Sequence, residues 1–272
     1  MQTSVVIGAY QFVGFHLAKY LLDQGEEVLG VDWEDVSGER IEDKEMEIGR
    51  NSNFLYIPIH KLKYLSLEKQ KTIYVSCYDL SKSKRDNQAE IIEVIAAFLK
   101  DLHLNKESHI HIIMLMPIEE ERSMYQALLQ KAEEMSTVKV VFLPTVYGPW
   151  QPETMSFEAA IRKKAPSEVK KAIEAEDRLD ALFVADLPKV LVELASRDEK
   201  NIQVQSEAGN QWLECAQLVL EDEYTGIYKE CSRKQRGMIY TIQNKTAPAD
   251  GITMQQKHFR RWQLLKKWRE LE

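Results

Sequence analysis

The stretch Ser4-Val5-Val6-Ile7-Gly8-Ala9-Tyr10-Gln11-Phe12-Val13-Gly14-Phe15-His16-Leu17 decides how the rest of the chain is interpreted. Its apolar run predicts a buried strand, and the residues from position 13 onward predict a helix. A glycine at each end of the turn lets the chain leave the strand sharply and lets the helix pack closely on the sheet. This arrangement is typical of a dinucleotide-binding turn, but Gln11 stands where a middle glycine normally admits a pyrophosphate to the helix N-terminus.

A second strand and an acidic residue complete the dinucleotide-binding pattern. A helix is predicted over residues 13–24 and a strand over 27–31, and Asp32 closes that strand. A carboxylate at this position can accept hydrogen bonds from both hydroxyls of an adenosine ribose. The acidic neighbours Glu34 and Asp35 would repel a 2′-phosphate, so the pattern favours NAD over NADP. The predicted cofactor-binding residues are Gly8, Tyr10, Gln11, Phe12, Val13, Gly14 and Asp32.

The composition is that of an ordinary globular chain, and it argues against several classes of function. With 272 residues, of which 44% are apolar, the chain is long enough for a large α/β domain with an appended lobe. Its net charge of −7 argues against general binding of nucleic acid. No apolar run approaches the ~18 residues typical of a membrane span, so we expect a cytoplasmic protein without a transmembrane segment.

Cysteine and histidine spacing predicts neither a disulfide framework nor a metal site. Cys77, Cys215 and Cys231 are widely spaced and form no Cys-x-x-Cys pair. His109 and His111 alternate along one predicted strand without a clear third ligand, so no metal is predicted.

Strands alternate with helices through residues 1–150. After the opening unit, the hydrophobic periodicity predicts strands at 54–59, 72–77, 110–115 and 138–143, and helices at 90–102 and 120–135. The acid-rich residues 34–50 are expected to form a surface loop. The alternation predicts an α/β fold with a Rossmann-like, doubly wound parallel sheet. We assign residues 1–150 to a dinucleotide-binding domain and residues 151–272 to a small, interwoven, substrate-type lobe.

Two segments of the second half resemble one enzyme family. The stretch Thr145-Val146-Tyr147-Gly148-Pro149-Trp150-Gln151-Pro152-Glu153 is similar to the segment that leads from the last cofactor-domain strand into the sugar-nucleotide region of uronate epimerases. The stretch Arg178-Leu179-Asp180-Ala181-Leu182-Phe183-Val184-Ala185-Asp186-Leu187 resembles a further element of that region. Together with the opening turn, they make the chain similar to the extended short-chain dehydrogenase/reductases of the NAD-dependent epimerase/dehydratase kind, which rearrange nucleotide-activated sugars.

The resemblance implies a cofactor, a substrate class and an assembly. It implies bound NAD, a nucleotide-sugar substrate, and a homodimer that pairs through the helices at 90–102 and 120–135. It also implies substrate contacts from Thr145, Tyr147 and Arg178, and it makes Tyr125 the acid/base of the reaction.

Three positions depart from the pattern of that family. The family pairs its catalytic tyrosine with a lysine four residues later, but Leu129 occupies that position after Tyr125. The preceding strand ends at Met116-Pro117, without the hydroxyl residue that orients the substrate. Lowering a tyrosine pKa from about 10 to about 7 requires roughly 4 kcal/mol of phenolate stabilisation, which a leucine cannot supply. The third departure is Gln11, whose amide is expected to face a phosphate oxygen and to push the diphosphate outward.

The sequence therefore favours an NAD-dependent epimerase/dehydratase-like protein of nucleotide-sugar type with a degenerate active site and reduced or lost hydride transfer. If active, it would oxidise a sugar hydroxyl with bound NAD and later return the hydride. Two alternatives stay open. One is a non-catalytic regulatory protein that binds a nucleotide or sugar nucleotide, and the other is a scaffold subunit that acts through its C-terminal helix.

Residues 257–272 predict a basic amphipathic helix. Phe259, Trp262, Leu265 and Trp268 recur every three residues, flanked by six Lys or Arg and two Glu, in a chain that is acidic overall. The simpler interpretation docks this aromatic stripe on the C-terminal lobe and leaves the basic residues in solvent. The alternative is a surface for an acidic partner or a membrane.

Overall fold

The computed structural model describes residues 3–33, 39–65, 71–83, 85–104, 110–119, 122–135, 137–220, 234–243 and 245–271. This part of the chain contains ten strands, numbered in chain order. They are β1 (Thr3–Ile7), β2 (Glu27–Asp32), β3 (Phe54–Pro58), β4 (Lys71–Ser76), β5 (His111–Pro117), β6 (Val138–Leu143), β7 (Thr145–Tyr147), β8 (Ala181–Phe183), β9 (Asn201–Ser206) and β10 (Met238–Ile242).

Eight of these strands form one parallel sheet. Its order is β10-β9-β6-β5-β4-β1-β2-β3, and all seven neighbouring pairs are parallel. The chain therefore begins inside the sheet at β1 and winds outward in both directions. This order confirms the predicted doubly wound, Rossmann-like fold. β7 and β8 form a separate two-stranded parallel sheet.

Helices connect the strands in the described ranges. Short 3₁₀ helices cover Ile59–Tyr64 and Val184–Asp186. The α-helices are α1 (Phe12–Asp23), α2 (Glu39–Ile48), α3 (Cys77–Lys82), α4 (Gln88–Leu104), α5 (Ser123–Glu134), α6 (Ser156–Ile161), α7 (Pro166–Glu174), α8 (Leu187–Ala195), α9 (Gln211–Val219) and α10 (Pro248–Arg269).

The alternation of side chains along each strand divides the core between the two faces of the sheet. In β1, Val5 and Ile7 belong to the core that α4 and α5 cover, whereas Val6 belongs to the core that α1 and α8 cover. A third core, around Phe157 and Trp212, lies among α6, α9 and β8. Both faces of the sheet are thus buried, as a parallel sheet requires.

The structure differs from the sequence prediction at residues 34–50. Residues 39–48 form α2, where the polarity of the segment predicts a loop. Ile41 and Lys44 are buried, and Ile48 packs against the core that α1 and α8 cover. These three residues follow a helical spacing, but the acidic residues between them make the segment polar on average. β9 and β10 also join the main sheet. Residues 151–272 therefore contribute strands to the sheet of the first lobe (residues 1–150) and also form the second lobe.

Candidate functional site

The opening turn has the geometry that its two glycines predict. Gly8 has a φ of +96°, a region that favours glycine, and its N–H donates to the Val31 carbonyl at 2.7 Å. A Cβ on Gly14 would lie 2.0 Å from the Gly8 carbonyl oxygen. The first turn of α1 therefore packs against β1 at a distance that only glycine permits.

Gln11 and Asp32 are hydrogen-bonded to each other beside this turn. The Gln11 Nε2 donates to one Asp32 carboxylate oxygen at 2.7 Å, and the Tyr10 N–H donates to the other at 2.7 Å. The Trp33 N–H adds a further hydrogen bond at 2.7 Å. Asp32 is 0% exposed and Gln11 is 9% exposed. The carboxylate expected to face a ribose is thus enclosed by the chain, and the amide expected to face a phosphate donates to that carboxylate instead.

A second carboxylate, Asp79, caps the N-terminus of α1. One of its oxygens accepts the Val13 N–H and the other accepts the Gly14 N–H, both at 2.9 Å. Ser76 Oγ donates to the second oxygen at 2.7 Å. Burial raises the pKa of Asp79, while these three donors and the nearby Lys44 favour its charged form. Asp79 therefore takes the amides with which a helix N-terminus binds a phosphate.

Lys44, from α2, contacts the backbone of the glycine turn. Its ammonium donates to the carbonyl oxygens of Tyr10 and Gln11. The same ammonium lies 5.4 Å from the centroid of the Phe15 ring and 5.2 Å from that of the Trp150 ring. Lys44 is buried, and these carbonyl and aromatic contacts compensate for the loss of water around its charge.

A dinucleotide does not fit this turn. Its diphosphate would need the Val13 and Gly14 amides, which donate to Asp79, and its ribose would need the enclosed carboxylate of Asp32. The Asp79 carboxylate would also repel a phosphate at the same place. Asp79 was not predicted from the sequence. The sequence places this acidic residue just after β4, the strand beside β1. Because parallel strands end at a common edge of the sheet, an acidic residue there could have been expected near the turn.

Tyr125, the predicted acid/base, is fully buried on α5. The guanidinium of Arg122 lies 4.8 Å from the centroid of its ring. Leu129, four residues later, belongs to the same apolar core, and so does Met116 at the end of β5. Tyr125 thus packs in an apolar core, with the Arg122 guanidinium against its ring.

The predicted substrate-binding residues lie on or near the small sheet of β7 and β8. Thr145 is buried, and its Oγ1 donates to the Asp177 carbonyl at 2.8 Å. Tyr147 is fully buried in the third core, 5.6 Å from the Phe183 ring, and burial raises the pKa of its phenol. Arg178 is partly exposed. Thr145 and Tyr147 lie on the small sheet and support the fold of the second lobe.

A cleft of about 700 Å³ lies between the lobes, beyond the carboxyl ends of β4 and β5. None of its lining residues was predicted as a site residue from the sequence. The cations are Lys82, Arg122 and Lys171, the carboxylates are Glu119, Glu153, Glu168, Glu174 and Glu176, and the hydroxyls are Ser81, Ser83 and Thr154.

The floor of the cleft is ordered by an ion pair and hydrogen bonds, one of which joins the two lobes. Lys82 forms an ion pair with Glu119 and donates to the Ala175 carbonyl at 3.0 Å. Glu176 accepts hydrogen bonds from the Ser156 N–H at 2.7 Å and from its hydroxyl at 2.6 Å, and burial raises the pKa of Glu176. These contacts fix the positions of Lys82 and Glu176 on the floor of the cleft.

The described residues also bear on metal binding and on membrane insertion. No group of three or more His, Cys, Asp or Glu among the described residues could hold a metal ion. None of the helices described here is both long enough and apolar enough to cross a membrane. Glu34, Asp35, His109 and Cys231 lie outside the described residues. The cytoplasmic location stays a prediction.

The sheet order and the glycine turn give this chain a fold similar to that of solved NAD-dependent epimerases and dehydratases. No family model and no curated protein sequence matches the chain.

Solved structures of similar fold cover almost the whole chain. A dTDP-glucose 4,6-dehydratase from Bacillus anthracis, in complex with NAD, has a TM-score of 0.64 at 14% identity, covering 96% of this chain and 98% of its own. An epimerase from Methanothermobacter thermautotrophicus has a TM-score of 0.62 at 16% identity, covering 98% and 94%. A UDP-glucose 4-epimerase from Thermotoga maritima, with UDP-glucose, has a TM-score of 0.60 at 16% identity, covering 96% and 99%.

Proposed function

We propose that this protein binds a ligand of the nucleotide-sugar class in its interlobe cleft, without NAD and without hydride transfer. The observation that supports this most directly is the Asp79 carboxylate on the Val13 and Gly14 amides at the N-terminus of α1. A diphosphate needs those amides, so a chain that supplies its own carboxylate there has replaced the anion of the cofactor. In this proposal the protein has the fold of the epimerases and dehydratases but does not catalyse hydride transfer.

The lining of the cleft supports a polyhydroxylated ligand. Its volume of about 700 Å³ is adequate for a small molecule, and it brings cations, carboxylates and hydroxyls together. Sugar hydroxyls can donate to Glu119 or Glu153 and accept from Arg122 or Lys171. The Thermotoga maritima epimerase of similar fold is described with UDP-glucose, which makes this compound the first ligand to test.

The surroundings of Tyr125 support the loss of hydride transfer. In the family that the chain resembles, a lysine four residues after the tyrosine stabilises the phenolate, and here Leu129 lies buried at that position. The strand end at Met116-Pro117 supplies no hydroxyl to orient a substrate. The two residues with which that family activates its tyrosine are thus replaced here by Leu129 and by Met116-Pro117.

Small molecules released from the denatured protein provide the first test. We expect neither NAD nor NADH in their mass spectrum, and no rise in Tm with millimolar NAD. UDP-glucose or a related nucleotide sugar is expected to raise the Tm, because a ligand of the native state stabilises it. Stoichiometric NAD among the released molecules, or absorbance changes that report hydride transfer, would contradict the proposal.

A variant in the cleft locates the ligand. Lys82 lies at the junction of the lobes with a side chain that is 10% exposed, so Lys82→Met is expected to abolish the shift in Tm caused by UDP-glucose. Lys189→Met, at a lysine of α8 whose side chain is 59% exposed, is the matched control. Equal shifts in wild type and both variants would place the ligand outside the cleft.

We also propose that two copies pair through α4 and α5. A groove of about 410 Å³ between these helices is lined mainly by small and apolar side chains: Ala89, Ile92, Ala96, Ala97, Met124, Ala127 and Leu128. Small residues let helices of a second copy approach closely. We expect Ala97→Glu to convert a dimer into a monomer in light scattering, whereas Ala249→Glu, in the first turn of α10, leaves it a dimer. A monomeric wild-type protein contradicts this assembly.

A further inference from the structure

The last three turns of α10 expose a set of large apolar side chains. Trp268 is 73% exposed, Leu264 is 58% exposed and Leu265 is 38% exposed. Leu271, just after the helix, is 86% exposed. At about 100° per residue, these four positions fall within an arc of about 120° around the helix axis. They form a single outward-facing surface, which we call the outer face of α10.

Basic side chains border the outer face. Arg260 and Lys267 lie on one side of the apolar arc and Arg261 lies within it, and all three are exposed. Residues 257–272 contain six Lys or Arg and two Glu, although the chain as a whole has a net charge of −7. The outer face is therefore a cationic and apolar surface on an acidic protein.

The opposite face of α10 is fixed to both lobes. Gln255 is fully buried and donates to Gln151 at 2.8 Å, and Trp262 is partly buried against the core of the α1 face. Near the end of the helix, Arg269 forms an ion pair with Asp43 of α2. Because the inner face is held at both ends, the outer face is presented on a rigid helix.

This geometry corrects the interpretation of the three-residue aromatic stripe. A step of three residues turns the side chain by about 300°, so the stripe drifts by about 60° at each step. Phe259 and Trp262 face the protein, where the guanidinium of Arg162 lies 4.9 Å and 5.0 Å from their rings. Leu265 and Trp268 have turned to the outer face. Docking on the protein thus uses half of the stripe and leaves the other half exposed.

We propose that the outer face of α10 binds the surface of an anionic lipid membrane, with the helix lying parallel to the bilayer. Trp268, Leu264 and Leu271 enter the headgroup region, and Arg260 and Arg261 contact lipid phosphates. A helix that presents Trp and Leu between Lys and Arg is typical of interfacial binding. The positive charge that borders this surface is complementary to anionic headgroups.

Sedimentation with lipid vesicles tests the proposal. We expect the full chain to sediment with vesicles of equimolar phosphatidylcholine and phosphatidylglycerol, and to stay in solution with phosphatidylcholine alone. Trp268→Ala is expected to weaken binding about tenfold, because it removes the largest inserted side chain. Tyr64→Ala is the matched control, since Tyr64 is 75% exposed on the first lobe, and it is expected to bind like wild type.

Fluorescence and salt provide independent readouts. The blue shift of tryptophan emission on adding anionic vesicles is expected in wild type and lost in Trp268→Phe, and high salt is expected to weaken binding. Equal binding of wild type and Trp268→Ala overturns the proposal. A protein that does not bind anionic vesicles but self-associates through Trp268 in light scattering also overturns the proposal. A protein that binds polyglutamate and not anionic vesicles overturns it as well.

Discussion

Replacing Asp79 with alanine removes the acceptor of three buried donors. The Val13 and Gly14 amides lie 2.9 Å from its oxygens, and Ser76 Oγ lies 2.7 Å away. A hydrogen bond to a charged group contributes about 1.5–3 kcal/mol, and a buried donor left without a partner costs about 1–3 kcal/mol. Burial of the carboxylate, which raises the pKa of Asp79, offsets part of this stabilisation. We expect Asp79→Ala to lower the free energy of unfolding by about 3–4 kcal/mol.

Urea unfolding measures this loss as a lower transition midpoint. Asp79→Asn is expected to be intermediate, because it keeps one acceptor oxygen and turns an NH₂ group towards a donor. Asp86→Ala, at an exposed carboxylate before α4, is the control and is expected to change stability by no more than about 0.5 kcal/mol. Amide hydrogen exchange at Val13 and Gly14 is expected to accelerate only in the Asp79 variants.

Inorganic phosphate separates an anion site from a purely structural contact. In Asp79→Ala the two amides lose their carboxylate, so phosphate is expected to bind there and raise the Tm. At a concentration ten times its Kd, the stabilisation is about 1.4 kcal/mol. Wild type is expected to show no such rise. A loss below about 1 kcal/mol in the variant, or an equal response of both proteins to phosphate, refutes the reasoning.

Three further predictions concern His16, Gly14 and Gln255. His16 Nε2 lies 3.0 Å from the Pro149 carbonyl oxygen, and burial lowers the pKa of His16 to about 4. The unfolded chain therefore binds a proton that the native state does not, so stability is expected to fall as the pH drops from about 6.5 towards 4, by at most about 3 kcal/mol. His16→Gln is expected to flatten this slope in urea titrations, and an unchanged slope contradicts it. Gly14→Ala, with a Cβ 2.0 Å from a carbonyl oxygen, is expected to cost about 3 kcal/mol or more in thermal unfolding, and a near-native Tm contradicts it. Gln255→Ala is expected to lower stability by about 1–3 kcal/mol in urea, because it leaves the Gly148 N–H without its side-chain acceptor; a loss below about 0.5 kcal/mol contradicts it.

The sheet and its first turn could be predicted because they depend on short-range patterns. Apolar runs of strand length alternate with helical periodicity, and this alternation predicts parallel pairing. Gly8 and Gly14 were identified from spacing alone, and the structure places them in contact across the turn. α2 was missed because its buried Ile41 and Lys44 are separated by acidic residues that dominate the composition.

The contents of the candidate site could not be predicted from the same patterns. Gln11 and Asp32 were both identified, but each was expected to face a ligand rather than the other. A sequence shows which polar side chains lie at an edge of the sheet. It does not show which of them form hydrogen bonds with one another there. Asp79 was missed for the same reason, because its contact with α1 joins two distant parts of the chain.

The cap on α1 has a consequence for how this fold depends on its surroundings. In a protein that takes its anion from solution, native-state stability follows the free concentration of that ligand. The Asp79 carboxylate is part of the chain, so its effective concentration at the Val13 and Gly14 amides is set by the connection through β4 and cannot be diluted. The folded state is therefore expected to have the same stability whether nicotinamide cofactors are abundant or depleted.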